Sequence, residues 1–406
     1  LHLSLYPKRH NDTKMISTKD AIQKVKDYCK PLLKEVIKPI EKSGNYSLFK
    51  DVYSPINMPP FRQSAMDGYA INIHKDSNYT LIGEIKAGDY DNPILKPGEA
   101  VRIFTGSPVP DTASAIVIQE KVNVKGNILH TEKDIAINQN IRPLGEQVKV
   151  GEVALLKDTK LTPAAIGFLT SIGITEVSVY KKPSIALVIT GNELIEAGQP
   201  LTYGKIYESN SKMLQNALYN LKFYDVNIYK IVDDYDKTYS TLKTIISKKD
   251  LVIISGGISV GDYDFVGKAL NTLEVETLFY KVKQKPGKPL FFGKKEKATI
   301  FALPGNPAAA LICFYIYVYI ALQKMKDAHN IELPRVTAKS SSEFIKKGDR
   351  PQFLKALFKN ESVTILEGQS SAMQQTFALA NALVFMPSET PKININDDVE
   401  VILLPI

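Results

Sequence analysis

The chain has 406 residues, 44% hydrophobic and 23% charged, with a formal net charge of +8. That length leaves room for two to four domains with real cores, and the balance is that of a globular chain, not of a disordered or fibrous one. The lysines are scattered among acids instead of forming a stripe, and no zinc-finger or RNA-recognition signature occurs, so a solvated surface and no nucleic-acid partner are expected.

Along the chain, the first 14 residues lack the apolar stretch of a signal peptide, and Met15 opens a cleaner pattern. Residues 17–42 carry helical spacing, with Ser17 or Thr18 as cap and Ala21, Val25, Tyr28, Leu32, Val36 and Ile40 facing inward. Residues 52–142 change to short β-type runs broken by turn signals such as PGE and KGN, which predicts a small all-β domain. Residues 143–180 are mixed, with TPAAIGFLTSIG as a short helix. The β domain then reads as an insertion into a discontinuous linker or dimerisation domain, 15–51 with 143–180.

From 181 the rhythm is strand, turn, helix. SIALVIT (184–190), VNIYKIV (226–232), LVIIS (251–255) and ATIFALP (298–304) are the strands, with helical stretches between most of them. This predicts a doubly wound α/β domain over 181–329 with a mostly parallel sheet. GKKEKA (293–298) reads as a hairpin tip. AAALICFYIYVYIAL (308–322) is the one membrane suspect, but a span needs roughly 20 apolar residues, so a buried helix is expected and no membrane partner. The last stretch, 330–406, loses helices, and SVTILEG, NALVFMP and VEVILLPI predict a second small β domain. Two cysteines, Cys29 and Cys313, build no disulfide framework and suit a reducing cytoplasm. Five histidines spell no zinc site, so any metal must be held by oxygen.

Ligands of an open α/β sheet bind beyond the carboxyl ends of its strands. Glu193 follows the first strand, Asp233-Asp234 the second, GGISVGDYD with Asp262 and Asp264 the third, and PGNP with Asn306 the fourth; QKPGKP adds Lys285 and Lys288. Glycine turns and helix starts favour phosphate oxygens, and lysines add charge for an oxyanion. Carboxylates would repel a bare phosphate, so they imply a hard divalent cation between them and the ligand. Asp233-Asp234 reads equally as a cap of the helix starting near Tyr235. Neither GxGxxG nor a Walker A string is present, which argues against nicotinamide and P-loop chemistry. Outside this domain, PPFRQSAMDGYA (59–70) gathers Arg62, Ser64 and Asp67; RIFTGSPVP (102–110) carries Thr105 and Gly106; IRPLGEQ (141–147) carries Arg142 and Glu146.

SAMDGYA, TGSPVP, RPLGE, TGNEL, SGGISVGDYD, KPGKP and LPGNP, in this order, resemble the MoeA family of molybdopterin molybdenumtransferases, relatives of the gephyrin E domain. The resemblance implies an elongated four-domain subunit: a central doubly wound α/β domain that binds molybdenum cofactor, an inserted β domain, a C-terminal β-barrel domain, and homodimerisation. It implies that molybdate is inserted into adenylylated molybdopterin with Mg²⁺, releasing AMP, with tungstate as the alternative oxyanion and an adenylyltransferase as a partner. Carried over by motif, Asp67, Glu193, Asp233 or Asp234, Asp264, Lys285 and Lys288 are the implied catalytic set, with Glu193 and Asp264 on the metal. Thr105, Gly106, Arg142, Ser255, Gly256, Gly257, Pro304, Gly305, Asn306 and Pro307 are implied substrate contacts, with Ser370 or Ser371 added from GQSSAMQQ. Two positions depart from the family pattern: Gln147 stands where aspartate follows Gly-Glu, and Asn192 where aspartate precedes Glu193. The competing readings are an adenylyltransferase that consumes ATP, disfavoured by the extra β modules, and a non-catalytic scaffold of the gephyrin type, disfavoured by the full set of acids and lysines.

Overall fold

The computed structural model describes residues 15–257, 264–326 and 330–406. The chain forms two compact units, Lys34–Tyr180 on its own and the described part of Leu1–Leu33 together with Lys181–Ile406.

Helix α1 (Thr18–Tyr28) starts where Ser17 Oγ accepts from Asp20 N at 3.0 Å. The helical spacing expected to run to residue 42 stops at Cys29, whose backbone is extended. Pro31 supplies the reason: it has no N–H to continue the ladder, and it pushes Lys30 out of the helical region. Ala21 and Val25 bury against the α/β core, so α1 belongs with the second unit and not with residues 143–180.

The Lys34–Tyr180 unit opens with strand β1 (Glu35–Pro39), in the segment expected to be helical. It continues with β2 (Gly68–Ile71), β3 (Asn78–Ile85), β4 (Glu99–Ile103), β5 (Ala115–Ile118), β6 (Val122–Lys125) and β7 (Ile128–Thr131). These last six form one sheet in the order β5-β2-β4-β3-β7-β6, the all-β module the turn spacing predicts. Helix α2 (Pro163–Ser171), capped by Thr162, and β8 (Glu176–Tyr180) follow, and β8 pairs antiparallel with β1.

The second unit holds a six-stranded sheet of β9 (Ile185–Thr190), β10 (Val226–Ile231), β11 (Leu251–Ser255), β12 (Glu276–Lys281), β13 (Pro289–Lys295) and β14 (Ala298–Leu303). Its order is β10-β9-β11-β14-β13-β12, parallel across the first four and antiparallel at the β13 and β12 edge. Alternation does the packing, because successive strand residues point to opposite faces. Ile185, Leu187, Leu251, Ile253, Phe301 and Leu303 face one side, with α1, α3 (Asn210–Asn220) and α6 (Pro307–Met325). Ala186, Val188, Val252, Ile254, Ile300 and Ala302 face the other, with α4 (Tyr235–Lys248) and α5 (Phe265–Thr272). Helix α6 is long and apolar enough to cross a membrane by composition, yet most of it is buried inside the unit, and Phe314–Val318 in its middle forms a π-helical turn. GKKEKA is the β13–β14 hairpin tip, with Lys295 opposite Ala298.

After α6 the chain builds a closed barrel from β15 (Arg335–Ser340), β16 (Gln352–Lys359), β17 (Ser362–Ile365), β18 (Ala382–Met386) and β19 (Asp398–Leu403), in the order β15-β17-β16-β18-β19. Contrary to the strand-only expectation, a short helix α7 (Gln374–Ala378) precedes β18 and buries Phe377.

Candidate functional site

The carboxyl ends of β9, β10, β11 and β14 open onto one cleft of about 490 Å³. Glu193, Asp233, Ser255, Gly256, Gly257, Pro304, Gly305, Asn306 and Pro307 all line it, so the sheet brings together residues scattered over 115 positions of sequence, from 193 to 307. Gly256 and Gly257 are required where they stand. Both have positive φ (+90° and +61°), and a Cβ on either would come within 2.4 Å of Thr190 oxygens on the neighbouring strand.

The adjacent acids after β10 separate. Asp234 caps α4, its carboxylate accepting from Lys237 N at 2.8 Å. Asp233 lines the cleft and is locked to the β9 loop by two reciprocal bonds: Asn192 N donates to Asp233 Oδ2, and Asp233 N donates to Asn192 Oδ1, each at 3.0 Å. Asn192, which departs from the family pattern, holds Asp233 without adding a second negative charge beside it. Lys205 Nζ donates to Asn192 O at 2.5 Å from the same side. Glu193 is exposed.

Asp264 does not line the cleft. Its carboxylate caps α5 through Gly267 N at 2.7 Å and accepts from Tyr280 Oη at 2.9 Å. Burial, reinforced by that carboxylate, raises the Tyr280 phenol above its ordinary range. Of the expected metal pair, Glu193 lines the cleft and Asp264 is not among the described lining residues; Asp233 and Glu208 are the other acids there. Asp262 lies outside the described residues. Among the described residues no three His, Cys, Asp or Glu side chains are grouped to hold a metal. Three carboxylates line the cleft, Glu193, Asp233 and Glu208. With Glu208 committed to Ser211 at the start of α3, the remaining two and the lack of a soft ligand suit Mg²⁺, which is ordinarily held by one or two carboxylates plus substrate phosphate oxygens.

Helix α6 begins differently from α4 and α5. Pro307 is its first residue, and Asn306 makes no capping bond; its Nδ2 donates instead to Ser371 Oγ at 3.0 Å. The α6 start thus has no side-chain cap among the described residues, which leaves first-turn N–H groups and the positive helix end for an anion. Ser371, in the loop before α7, is half-buried.

Lys285 is half-buried and Lys288 exposed, and of their loop Pro289 reaches the cleft lining. The loop is held from beneath. Tyr317, on the π turn of α6, donates to buried Gln284, and Gln284 Nε2 donates to Pro286 O at 3.0 Å. Gly287 (φ +87°) sits where a Cβ would come 2.5 Å from Cys313 Sγ.

In the Lys34–Tyr180 unit, Asp67 accepts from both N and Oγ1 of Thr105, each at 2.7 Å. These bonds, the backbone one first, hold the Asp67 carboxyl below its usual range. Gly106 has φ +88°, and exposed Arg142 Nη1 reaches Gln63 Oε1 at 3.5 Å. Arg62 is committed to the carbonyls of Pro110, Asp111 and Ala113.

Sequence reasoning missed Thr190, Glu208 and Asn210 in the cleft lining. Asn210 Nδ2 donates to Ser255 Oγ at 2.8 Å and to Gly305 O at 2.7 Å, tying the β11 and β14 loops together. Glu208 caps α3 through Ser211 N at 2.7 Å. The string ESN before a helical run was the available signal, since such residues mark helix starts.

Three family models match the chain: "MoeA N-terminal region (domain I and II)" over residues 16–173, "Probable molybdopterin binding domain" over 186–324, and "MoeA C-terminal region (domain IV)" over 337–404. A molybdopterin molybdenumtransferase of Haemophilus influenzae is 32% identical over 373 residues, covering 89% of this chain and 92% of that protein. One of Staphylococcus aureus (strain Mu50) is 31% identical over 401 residues, covering 96% and 95%. Two structures of the molybdopterin biosynthesis MoeA protein of Pyrococcus horikoshii superpose with TM-scores of 0.80 and 0.76 at 25% and 28% identity, each covering 96% of this chain and 99% and 100% of theirs.

Proposed function

The chain belongs to the MoeA family, and on that premise we propose that it inserts molybdate into adenylylated molybdopterin, with release of AMP and molybdenum cofactor. The observation that carries this reading is the convergence of four strand ends on one cleft that offers two hard-oxygen acids not engaged in capping, Glu193 and Asp233, and an uncapped helix start. Such a cleft suits a phosphate ester presented with a divalent cation.

The uncapped start of α6 receives one phosphate of the pyrophosphate, and the Gly256-Gly257 backbone lets a second approach closely. Glu193 and Asp233 would hold Mg²⁺ against the pyrophosphate, where it would offset the charge of the phosphate oxygens. Water attacks the adenylyl phosphorus, the bridging P–O bond breaks, and AMP leaves while the pterin keeps its own phosphate. The Lys285–Lys288 loop, braced by Gln284 and Tyr317, brings two cations for the tetrahedral oxyanion, so that positioning supplies much of the rate gain. The Asp67–Thr105 pair and Arg142 complete the site from the β module of a partner subunit. Two cysteines without a disulfide, both buried, support a reducing cytoplasmic setting.

The test is to mix the protein with adenylylated molybdopterin, Mg²⁺ and molybdate and to follow AMP. Molybdate-dependent AMP release is expected. Consumption of ATP with formation of adenylylated pterin, or no turnover at all, overturns the reading.

A further inference from the structure

Strand β16 carries a lysine where a barrel strand has no ordinary use for one. Leu354 and Ala356 point into the barrel core, while Phe353, on the opposite face, packs into the cluster that holds α3 and α6. Lys355 shares the face of Phe353 and is 1% exposed. Its Nζ donates to the main-chain carbonyls of Gly368 at 2.7 Å, Met373 at 2.9 Å and Ser370 at 3.1 Å. No carboxylate is paired with it among the described residues. Burying an ammonium costs several kcal/mol unless its donors are satisfied, and here three carbonyls of one loop satisfy them. Burial also pushes the amine down to about 8.

The loop so held is the one that carries Ser371, which accepts from Asn306 Nδ2 at the cleft. Its other anchor is again residue 355: Gln369 accepts from Lys355 N at 2.9 Å and donates to Lys355 O at 2.8 Å. Asn306 is the residue before α6, whose start is left uncapped at the cleft. The barrel reaches Asn306 through the Ser371 side chain, whose loop is fastened by a buried cation; separately, β16 meets the 284–289 loop, with Phe353 N donating to Lys285 O at 3.0 Å.

We propose that Lys355 is a positioning residue for the substrate site: it clamps the 368–373 loop so that Ser371 holds Asn306, and with it the open start of α6, in the geometry that receives the substrate phosphate. This rests on the reading of the cleft given above. Lys355 touches no reacting atom, and its effect passes through Ser371.

The experiment compares K355M, K355R, S371A and the double variant K355M/S371A in the full chain. It measures AMP release from adenylylated molybdopterin with molybdate and Mg²⁺, and hydrogen exchange of the loop amides. Loss of one positioned hydrogen-bond chain predicts a KM for adenylylated molybdopterin raised roughly tenfold in K355M and in S371A, with kcat within about twofold. The double variant should be no worse than either single one, and K355R should recover most of the loss. Exchange should rise in 368–373 and stay unchanged in β16 and β18. Unchanged KM in K355M, a loss confined to kcat, or additive effects of K355M and S371A overturn the proposal. If K355M does not fold, K355Q takes its place, and a folded K355Q with wild-type KM overturns the proposal equally. If the wild type releases no AMP, the functional reading fails, and exchange alone decides: a loop loosened in K355M and not in K355R supports the clamp, and any other pattern refutes it.

Discussion

Asp233 and Asp234 are neighbours in the chain and the same residue type, yet they do different work. Asp234 spends its carboxylate on the first turn of α4, while Asp233 is turned into the cleft and held there by Asn192. The same contrast separates Asp264, spent on α5 and Tyr280, from Glu193, which lines the cleft. Three helices start along this sheet edge after β10, β11 and β14. Two have an aspartate at the first turn, and the third, α6, has only an asparagine that looks elsewhere. The lesson is that an acid at a strand end is available for chemistry only where no helix start claims it.

The strongest way to break this comparison is to neutralise the cleft acids. Glu193→Gln and Asp233→Asn should each cut AMP release by about 100-fold or more, because charge placed at a reacting phosphate is worth that much. Thermal unfolding should be almost unmoved, since neither acid is a helix cap. Full turnover in both would erase the distinction between cleft acids and caps.

Next in size is Asn306→Asp, which would put a capping carboxylate on the open start of α6. KM for adenylylated molybdopterin should rise by roughly tenfold while the helix becomes no less stable, as anions and capping acids compete for the same N–H groups. An unchanged KM would mean that the α6 start is not where phosphate binds.

Removing the spent acids should do the opposite. Asp234→Ala and Asp264→Ala should each lose about 1 kcal/mol of stability in urea titration, the usual worth of a cap. Steady-state constants should stay within about threefold of wild type, a margin well under the cost expected for a reacting group. A large kinetic loss in Asp264→Ala without loss of stability would return that residue to the reacting set.

The smallest effect concerns Lys355, whose amine is lowered from 10.5 to about 8 by burial. Between those two pH values the unfolded chain holds a proton that the folded chain has released, so this group adds stability as pH rises through the window. Subtracting the stability–pH curve of K355M from that of wild type should leave a rising difference above about pH 8. A flat difference would mean that Lys355 titrates as it does in the unfolded chain.

Much of this molecule was legible before its fold was known. Short continuous apolar runs at 184–190, 251–255 and 298–304, alternating with helical stretches, read as strands buried on both faces, and Gly, Asp and Asn after them marked the edge where a ligand binds. Over 17–42 the apolar spacing continues past Pro31, but the missing N–H of that proline outweighs the pattern and the helix ends at Tyr28. The roles of Asp264 and Asn210 were not legible either. Each depends on hydrogen bonds to groups distant in sequence: the Tyr280 hydroxyl for one, the Ser255 hydroxyl and Gly305 carbonyl for the other.

The strand-turn-helix order of 181–329, and the chemistry gathered at its sheet edge, are properties of local pattern, so the sequence determined them alone; β1 and α7 lay outside that pattern. Which carboxylate faces substrate and which is consumed by a helix start was decided by tertiary structure, because it turns on where N–H groups lie and not on which residue is next. The same holds for Lys355: nothing in QFLKALFK marks it, and only closure of the barrel over the 368–373 loop takes its ammonium out of water and commits it to three carbonyls.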